Sequence, residues 1–191
     1  MLPSLYPRLL GTAWSTLPAV VRACHDAAPR LEAHGRFTVT HATSWLARIA
    51  IWFANMPPAR RDIPLRLQVR AEGELQVWER DFDGFTMTTV QLIHDGALLA
   101  ERRGPFELLF RIAVVGGTVT YQPVGLRLGF GNLRVRVPAF LGPSVRASAG
   151  CDDGGDAMNV RVEIGLPFFG TLVTYGGALR PVQRGVAGPL A

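Results

Sequence analysis

Apolar and polar residues alternate with a period of two along most of the chain. Between Ile63 and Glu72, Leu and Val alternate with Arg66, Gln68 and Arg70, which is the pattern of a strand with one buried face. The pairs Asp83-Gly84 and Asp95-Gly96 are typical of tight hairpins, because Gly tolerates the positive φ of such turns. The predicted strands cover about 65–71, 75–80, 85–93, 97–103, 106–114, 118–122, 133–137, 144–149, 158–164 and 171–179.

Short strands joined by tight turns cannot form a parallel sheet, because parallel neighbours need long crossover connections. The sequence therefore predicts a mainly β (α+β) fold, in which about nine or ten antiparallel strands form a curved sheet. So many strands tend to curl, and a barrel-like or half-barrel arrangement is expected.

The first 56 residues instead have helical spacing, broken by proline. Short helices are predicted over about 5–14 and 19–28, followed by an extended run from Phe37 to His41. A third helix is predicted over about 44–55, ended by Pro57-Pro58. It carries a stripe of apolar residues at helical spacing: Trp45, Ile49, Trp52, Phe53 and Met56. The favoured interpretation is a helix packed on the sheet by this stripe, and the alternative is a lid beside an apolar cavity or a membrane surface.

These patterns predict one domain over residues 1–180. Residues 1–56 form its helical front end and residues 63–180 its antiparallel meander, while residues 181–191 form a disordered tail.

Composition narrows the functional classes. The net charge is +5 and all 20 basic residues are Arg, but they are scattered, whereas a nucleic-acid binder gathers its charge into a patch. Nucleic acid is therefore not predicted as a partner. Cys24 and Cys151 share no redox or metal spacing, so a reduced, cytoplasmic protein is expected.

No motif in the sequence specifies a metal, a cofactor or a catalytic nucleophile. His25, His34, His41 and His94 lack metal-ligand spacing and are interpreted as surface or turn histidines. The cluster of Asp152, Asp153 and Asp156 lacks the spacing of a calcium loop and fits a hairpin turn better. An enzyme using Glu79, Asp81 or Glu101 as acid or base is the least favoured hypothesis, and a non-enzymatic protein is expected.

An apolar interior with a few polar groups is the remaining candidate site. Inward positions such as Phe82 could line a cavity, and Arg102, Arg111 or Glu101 could fix a polar head group; the favoured alternative is that all of them are ordinary core and rim residues. The predicted ligand-binding set is Trp45, Trp52, Phe53, Trp78, Arg102, Phe110 and Tyr121.

Several segments resemble an uncharacterised bacterial family, domain of unknown function 4166. The resemblance covers about residues 4–180, and the segments that carry it are Leu5-Tyr6-Pro7-Arg8-Leu9-Leu10-Gly11, Leu17-Pro18, Val77-Trp78-Glu79-Arg80-Asp81-Phe82-Asp83-Gly84, Glu101-Arg102-Arg103-Gly104-Pro105, Val160 to Leu166, Pro167, Gly170 and Val173-Thr174-Tyr175-Gly176-Gly177.

The resemblance implies a module that stands alone or follows nicotinamide-dinucleotide-binding domains of the saccharopine-dehydrogenase type. It implies no agreed activity and no catalytic residue. The leading hypothesis is a module that binds an apolar or lipid-like small molecule in a curved β-sheet. The alternative is an accessory protein-interaction domain beside a nicotinamide-dependent oxidoreductase, and contact with a membrane surface is a less favoured possibility.

Overall fold

The computed structural model describes residues 4–26, 29–130, 133–167 and 169–182. Most of the predicted tail, residues 183–191, lies outside the described residues. The helices are α1 (Leu5–Leu10), a 3-10 helix (Gly11–Thr16), α2 (Ala19–His25), α3 (Trp45–Phe53) and a second 3-10 turn (Ala139–Leu141). The strands are β1 (Arg30–His41), β2 (Arg60–Glu72), β3 (Leu75–Phe82), β4 (Phe85–His94), β5 (Leu98–Arg103), β6 (Phe106–Val115), β7 (Thr118–Phe130), β8 (Leu133–Val137), β9 (Ser144–Cys151), β10 (Met158–Leu166) and β11 (Gly170–Pro181).

The strands form one antiparallel sheet that closes on itself, which confirms the barrel-like fold class. Its order is β6-β5-β4-β3-β2-β1-β11-β10-β9-β7-β8, and β6 also pairs with β7. The first part of β7 pairs with β9 and its last part pairs with β8. Ten strands therefore form a closed barrel, and β8 lies beside β7 as an extra strand.

Two predicted hairpins show how the local sequence sets the strand order. Asp83 and Gly84 have φ of 54° and 94°, and Asp95 and Gly96 have φ of 49° and 72°. Positive φ at both central residues matches the right-handed twist of the flanking strands. These turns hold β3 against β4 and β4 against β5, as predicted.

β1 is much longer than the predicted extended run Phe37–His41. It begins at Arg30, and its residues Leu31, Ala33, Phe37 and Val39 are buried on one face. Gly35 interrupts the apolar alternation at the centre of the strand and hides the pattern. β1 is therefore a full barrel strand between β2 and β11, and the front end is not wholly helical.

The antiparallel order defines two ends of the barrel. The α3 end carries α3 and the β3–β4, β5–β6, β7–β8 and β10–β11 connections. The N-terminal helices lie at the opposite end, which we call the plugged end. There α1 packs against β4 and β6, while α2 packs against β9, β10 and β11. Tyr6 and Val21 are completely buried by this packing.

Two glycines allow β1 and β11 to approach each other. A Cβ at Gly35 would lie 2.0 Å from the carbonyl oxygen of Ala178, and one at Gly177 would lie 2.0 Å from the carbonyl oxygen of Arg36. No side chain can occupy that space without moving the backbone. The β1–β11 seam, which joins the first and last strands of the barrel, therefore depends on glycine.

Candidate ligand-binding site

Polar side chains line part of the barrel interior. Arg80 lies on β3 between the buried residues Trp78 and Phe82, and Glu101 lies two positions after the buried Leu99 on β5. Because side chains alternate between the two faces of a strand, Arg80 and Glu101 point inward.

A chain of hydrogen bonds, polar contacts and one ion pair runs inward from α2, and we call it the interior polar chain. Its members are His25, Tyr121, Tyr6, Gln91, Glu101 and Arg80. His25 Nε2 lies 3.0 Å from the Tyr121 hydroxyl, which lies 3.0 Å from the Tyr6 hydroxyl. The Tyr6 hydroxyl donates to Gln91 Oε1 at 3.1 Å, and Gln91 Nε2 donates to Glu101 Oε2 at 3.4 Å. Arg80 Nη2 completes the chain 3.6 Å from Glu101 Oε1.

The protons of this chain can be assigned from its first member. His25 Nδ1 lies 2.8 Å from the carbonyl oxygen of Val21, which only accepts, so Nδ1 carries the proton and Nε2 accepts from Tyr121. The Tyr6 proton is already directed at Gln91. While His25 is neutral, each tyrosine uses its proton in another bond, Tyr121 to His25 and Tyr6 to Gln91. No proton is then left to lie between the two tyrosine oxygens.

Burial keeps the inner members of the chain uncharged. It lowers the pKa of His25 to about 4, against a smaller opposing effect of the hydrogen bond to Val21. Burial also raises the pKa of Tyr6 and that of Tyr121. At neutral pH the inner end of the chain is thus polar but carries no net charge.

Arg80 and Glu101 are charged side chains that face the interior. Arg80 also donates to Thr89 Oγ1 at 3.0 Å, and its guanidinium lies 5.2 Å from the centre of the Trp78 ring. The side chains of Arg80 and Glu101 are 16% and 21% exposed although they face inward. Solvent-sized space therefore reaches the charged part of the interior.

Gln76 supplies a further polar group inside the barrel. Its Oε1 accepts from Trp78 Nε1 at 3.2 Å, whereas its buried Nε2 has no hydrogen-bond partner among the described residues. A buried donor without an acceptor costs about 1–3 kcal/mol. An acceptor inside the barrel would satisfy it.

Segment 42–59, which contains α3, lies across the α3 end of the barrel. It leaves β1 and enters β2, yet Arg103 on β5 donates to the carbonyl oxygen of Ala54 at 3.1 Å and to that of Asn55. β5 is four strands away from β1 around the barrel. Arg103 therefore tethers the segment to strands on the other side of the opening. We call segment 42–59 the lid and Arg103 the latch residue.

The α3 helix packs on the barrel by a different face from the one predicted. Ala47 and Ile51 are buried, while Trp45, Trp52 and Phe53 are 69%, 73% and 73% exposed. The prediction that the aromatic stripe packs on the sheet is therefore wrong. A stripe at helical spacing does not reveal which face is covered, and the small side chain of Ala47 allows the closer approach to the sheet.

The structure separates the predicted binding residues into three places. Trp78, Phe110 and Tyr121 lie together in the interior, where Phe110 and Tyr121 have ring centres 6.1 Å apart. Trp45, Trp52 and Phe53 lie outside on α3. Arg102 faces the outer wall and pairs with Glu107 at 2.5 Å, and Arg111 is exposed, so neither shares the interior with Trp78.

Glu107 was missed from the sequence, and it forms a buried cluster on the outer wall. Its carboxylate is completely buried and contacts Arg102, Arg127 and Arg134. Burial raises the pKa of Glu107, but the hydrogen bond from Arg102 and the three positive charges outweigh it, so the pKa is lowered. The cluster holds β5, β6, β7 and β8 together.

His25 and Tyr6 were also missed as interior residues. His25 is 2% exposed, so its interpretation as a surface or turn histidine is wrong. The N-terminal helices carry both residues into the barrel, and only the tertiary packing reveals this. The one available signal was the buried face of α2, on which Val21 and His25 are four residues apart.

Other chemistry in the described residues is limited. No group of three or more His, Cys, Asp or Glu side chains is placed to hold a metal ion within the described ranges. Burial raises the pKa of Cys24 to about 12, so its thiol is a poor nucleophile. Asp152 Oδ1 accepts from the backbone N–H groups of Asp156 and Ala157, as the predicted turn requires.

Two of the surface pockets in the described part of the chain lie near residues that the sequence suggested. One of about 260 Å³ lies beside α3 and is lined by His41, Arg48, Ile51, Trp52, Asn55 and Met56. Another of about 330 Å³ lies on the outer wall near Asp81 and Asp83, where Asp83 is already paired with Arg60. The first pocket adjoins the lid.

Fold and site together define a closed antiparallel β-barrel, plugged by N-terminal helices and crossed by a short helix at its other end. The chain belongs to the family of the domain of unknown function DUF4166, whose model matches residues 17–179. No curated protein matches the chain. Among solved structures, an isomerase-inactive variant of GphF DH1 matches with 11% identity and a TM-score of 0.18, over 98% of this chain and 88% of that one.

Proposed function

We propose that the barrel binds a small amphipathic molecule, with an apolar body and one anionic or strongly polar end, under the lid formed by segment 42–59. The observation that carries the proposal is the inward-facing pair of Arg80 and Glu101, which is partly exposed inside a closed barrel. Barrels with more than eight strands enclose ligand cavities more readily than smaller ones, whose interiors are filled by side chains.

The arrangement of charge favours an anionic end on the ligand. Arg80 and the latch residue Arg103 bring two guanidinium groups to this region, against the single carboxylate of Glu101. A carboxylate on the ligand would balance the second guanidinium. Apolar walls are present nearby, since Phe82, Phe110 and Trp78 are buried on the same inner surface.

Lipid-like carboxylates are the simplest molecules with this chemistry. A fatty acid would place its carboxylate at Arg80 and its chain among the aromatic walls, and Gln76 Nε2 would gain an acceptor if a polar group or water entered with it. The ligand-binding role of Trp78, Phe110 and Tyr121 is part of this proposal. The cytoplasmic location inferred from the cysteines belongs to it as well.

Calorimetric titration with oleate tests the proposal. The native chain is expected to bind one equivalent, and Arg80→Met is expected to weaken binding about tenfold or more, because a charge-assisted hydrogen bond contributes about 1.5–3 kcal/mol. Arg111→Met, an outward-facing change on β6, is the matched control and should leave the affinity unchanged. No binding by the native chain, or equal weakening by both variants, would contradict the proposal.

The alternative function, an accessory domain beside a nicotinamide-dependent oxidoreductase, stays a prediction. It needs an exposed contact surface, but no described contact identifies such an enzyme as the occupant. The interior site has the more specific arrangement of groups, and for that reason we place ligand binding first.

A further inference from the structure

Exposed apolar side chains are concentrated at the α3 end of the barrel. Of the large hydrophobic residues that are exposed, most lie on α3 or on the strand ends and connections of the α3 end, while Val135, Phe140 and Leu141 lie on β8 and the β8–β9 connection, and Val115 and Val182 lie at the opposite end. Those at the α3 end are Trp45, Leu46, Ile49, Trp52, Phe53, Phe106, Leu133 and Phe169. We call this set the apolar rim. Exposed apolar surface on this scale marks a contact surface.

Unpaired positive charge accompanies the apolar rim. Arg48 on α3, Arg61 at the start of β2 and Arg136 on β8 are exposed and have no ion-pair partner among the described residues. The acidic residues nearby are largely neutralised: Asp62 pairs with Arg36 and Asp83 with Arg60.

The plugged end has a more mixed charge. Its helices and turns carry a series of carboxylates, which are Asp26, Glu72, Glu74, Asp95, Asp152, Asp153 and Asp156. Five arginines also lie at this end, namely Arg8, Arg22, Arg30, Arg70 and Arg180, so it carries charge of both signs with a small excess of carboxylates. A negatively charged surface would therefore attract the α3 end, where Arg48, Arg61 and Arg136 have no ion-pair partner among the described residues, more strongly than the plugged end.

We propose that the apolar rim docks on the surface of an anionic lipid bilayer. Trp and Phe insert favourably at the boundary between head groups and acyl chains, and arginine attracts anionic head groups. A second copy of the chain fits less well, because a twofold contact would bring the same arginines face to face. None of the helices in the described ranges is long and apolar enough to span a membrane. The inference does not depend on the interior ligand.

Sedimentation with lipid vesicles tests the inference on the full chain. Vesicles of phosphatidylcholine with phosphatidylglycerol should bind the protein, and vesicles of phosphatidylcholine alone should bind it more weakly. The double change Trp52→Ser with Phe53→Ser is expected to weaken binding about tenfold or more, because it removes two aromatic groups from the contact. Arg48→Gln should weaken binding to the anionic vesicles about fivefold.

The matched control is Val115→Ser, which removes an exposed apolar side chain at the opposite end and should leave vesicle binding unchanged. Since Trp52 and Phe53 lie outside the core, the double variant should keep the circular dichroism spectrum of the native chain. If it does not, Trp45→Ser provides a separate test of the same rim, with the same expected loss.

Three results would overturn the inference. They are failure of the native chain to bind anionic vesicles, rim variants that bind as well as the native chain, and a dimer in light scattering that Trp52→Ser with Phe53→Ser dissociates. The last result would identify a second copy as the occupant. If the native chain binds anionic vesicles but does not bind oleate, only the proposed interior site is contradicted. The two proposals can therefore fail separately.

Discussion

His25 illustrates how a single buried residue couples the fold to pH. Its imidazole is held between the carbonyl oxygen of Val21 and the hydroxyl of Tyr121, and burial lowers its pKa from 6.5 to about 4. The unfolded chain takes up a proton below a pH of about 6.5, whereas the folded chain does not until the pH approaches 4. Proton uptake between these values therefore favours unfolding.

We expect the contribution of His25 to the free energy of unfolding to be fully present above pH 6.5 and to be lost as the pH is lowered towards 4. The loss is on the order of 3 kcal/mol, since each unit of pKa difference corresponds to about 1.4 kcal/mol. Urea unfolding at several pH values measures it. His25→Gln should remove this part of the pH dependence, whereas the exposed His34→Gln should retain it; equal profiles for the native chain and His25→Gln would contradict the assignment.

Residue-scale features were only partly predictable. Trp78, Phe82 and Phe110 have inward positions that follow from strand alternation, and the structure confirms those positions. Tyr6 and His25 could not be placed in the barrel from sequence, because helix periodicity shows which residues share a face but not what covers it.

The segment containing α3 is the most distinctive single element. Its start was predictable: Ser44 Oγ accepts from the N–H of Ala47 at 3.2 Å, as an N-cap does. Its position across the α3 end was not, because the Arg103 latch joins residues 48 or 49 positions apart in sequence. The position of the element therefore depends on long-range contacts, including the burial of Ala47 and Ile51, rather than on its own helix propensity.

Arg103→Leu should loosen the lid without unfolding the barrel. Removing the guanidinium frees the carbonyl oxygens of Ala54 and Asn55, so we expect hydrogen exchange of the backbone amides over 45–56 to quicken about tenfold, which corresponds to roughly 1.4 kcal/mol of local stability. Mass spectrometry of exchanged peptides measures the effect. Arg111→Leu on the outer wall is the control, and unchanged exchange in Arg103→Leu would contradict the latch.

The closed barrel is the property of the whole molecule that the sequence left open. The hairpins up to β6 follow from turn residues and strand spacing, whereas closure depends on pairings between strands far apart in the chain, β1 with β11 and β7 with β9. Local patterns do not encode such partners. Gly35 is instructive, because it weakened the strand pattern of β1 and yet makes the β1–β11 seam possible.

A single methyl group at the seam should therefore destabilise the entire barrel. Gly35→Ala would place Cβ against the carbonyl oxygen of Ala178 at 2.0 Å, and we expect it to lower the free energy of unfolding by about 2 kcal/mol or more, in the range of strongly destabilising substitutions. Gly154→Ala, where a Cβ meets nothing within 4 Å, is the control. Equal unfolding curves in urea for the two variants would show that the seam tolerates a side chain.

Quenching of Trp78 fluorescence tests the interior site most directly. Phe in place of Trp14, Trp45 and Trp52 leaves Trp78 as the only tryptophan, buried beside Arg80 with the guanidinium 5.2 Å from its ring centre. Titration with dibromostearate, whose bromine atoms quench only nearby tryptophan, should then give saturable quenching at one equivalent, which Arg80→Met weakens about tenfold or more. Binding of the brominated fatty acid without quenching of Trp78, or no binding at all, would contradict a ligand site inside the barrel.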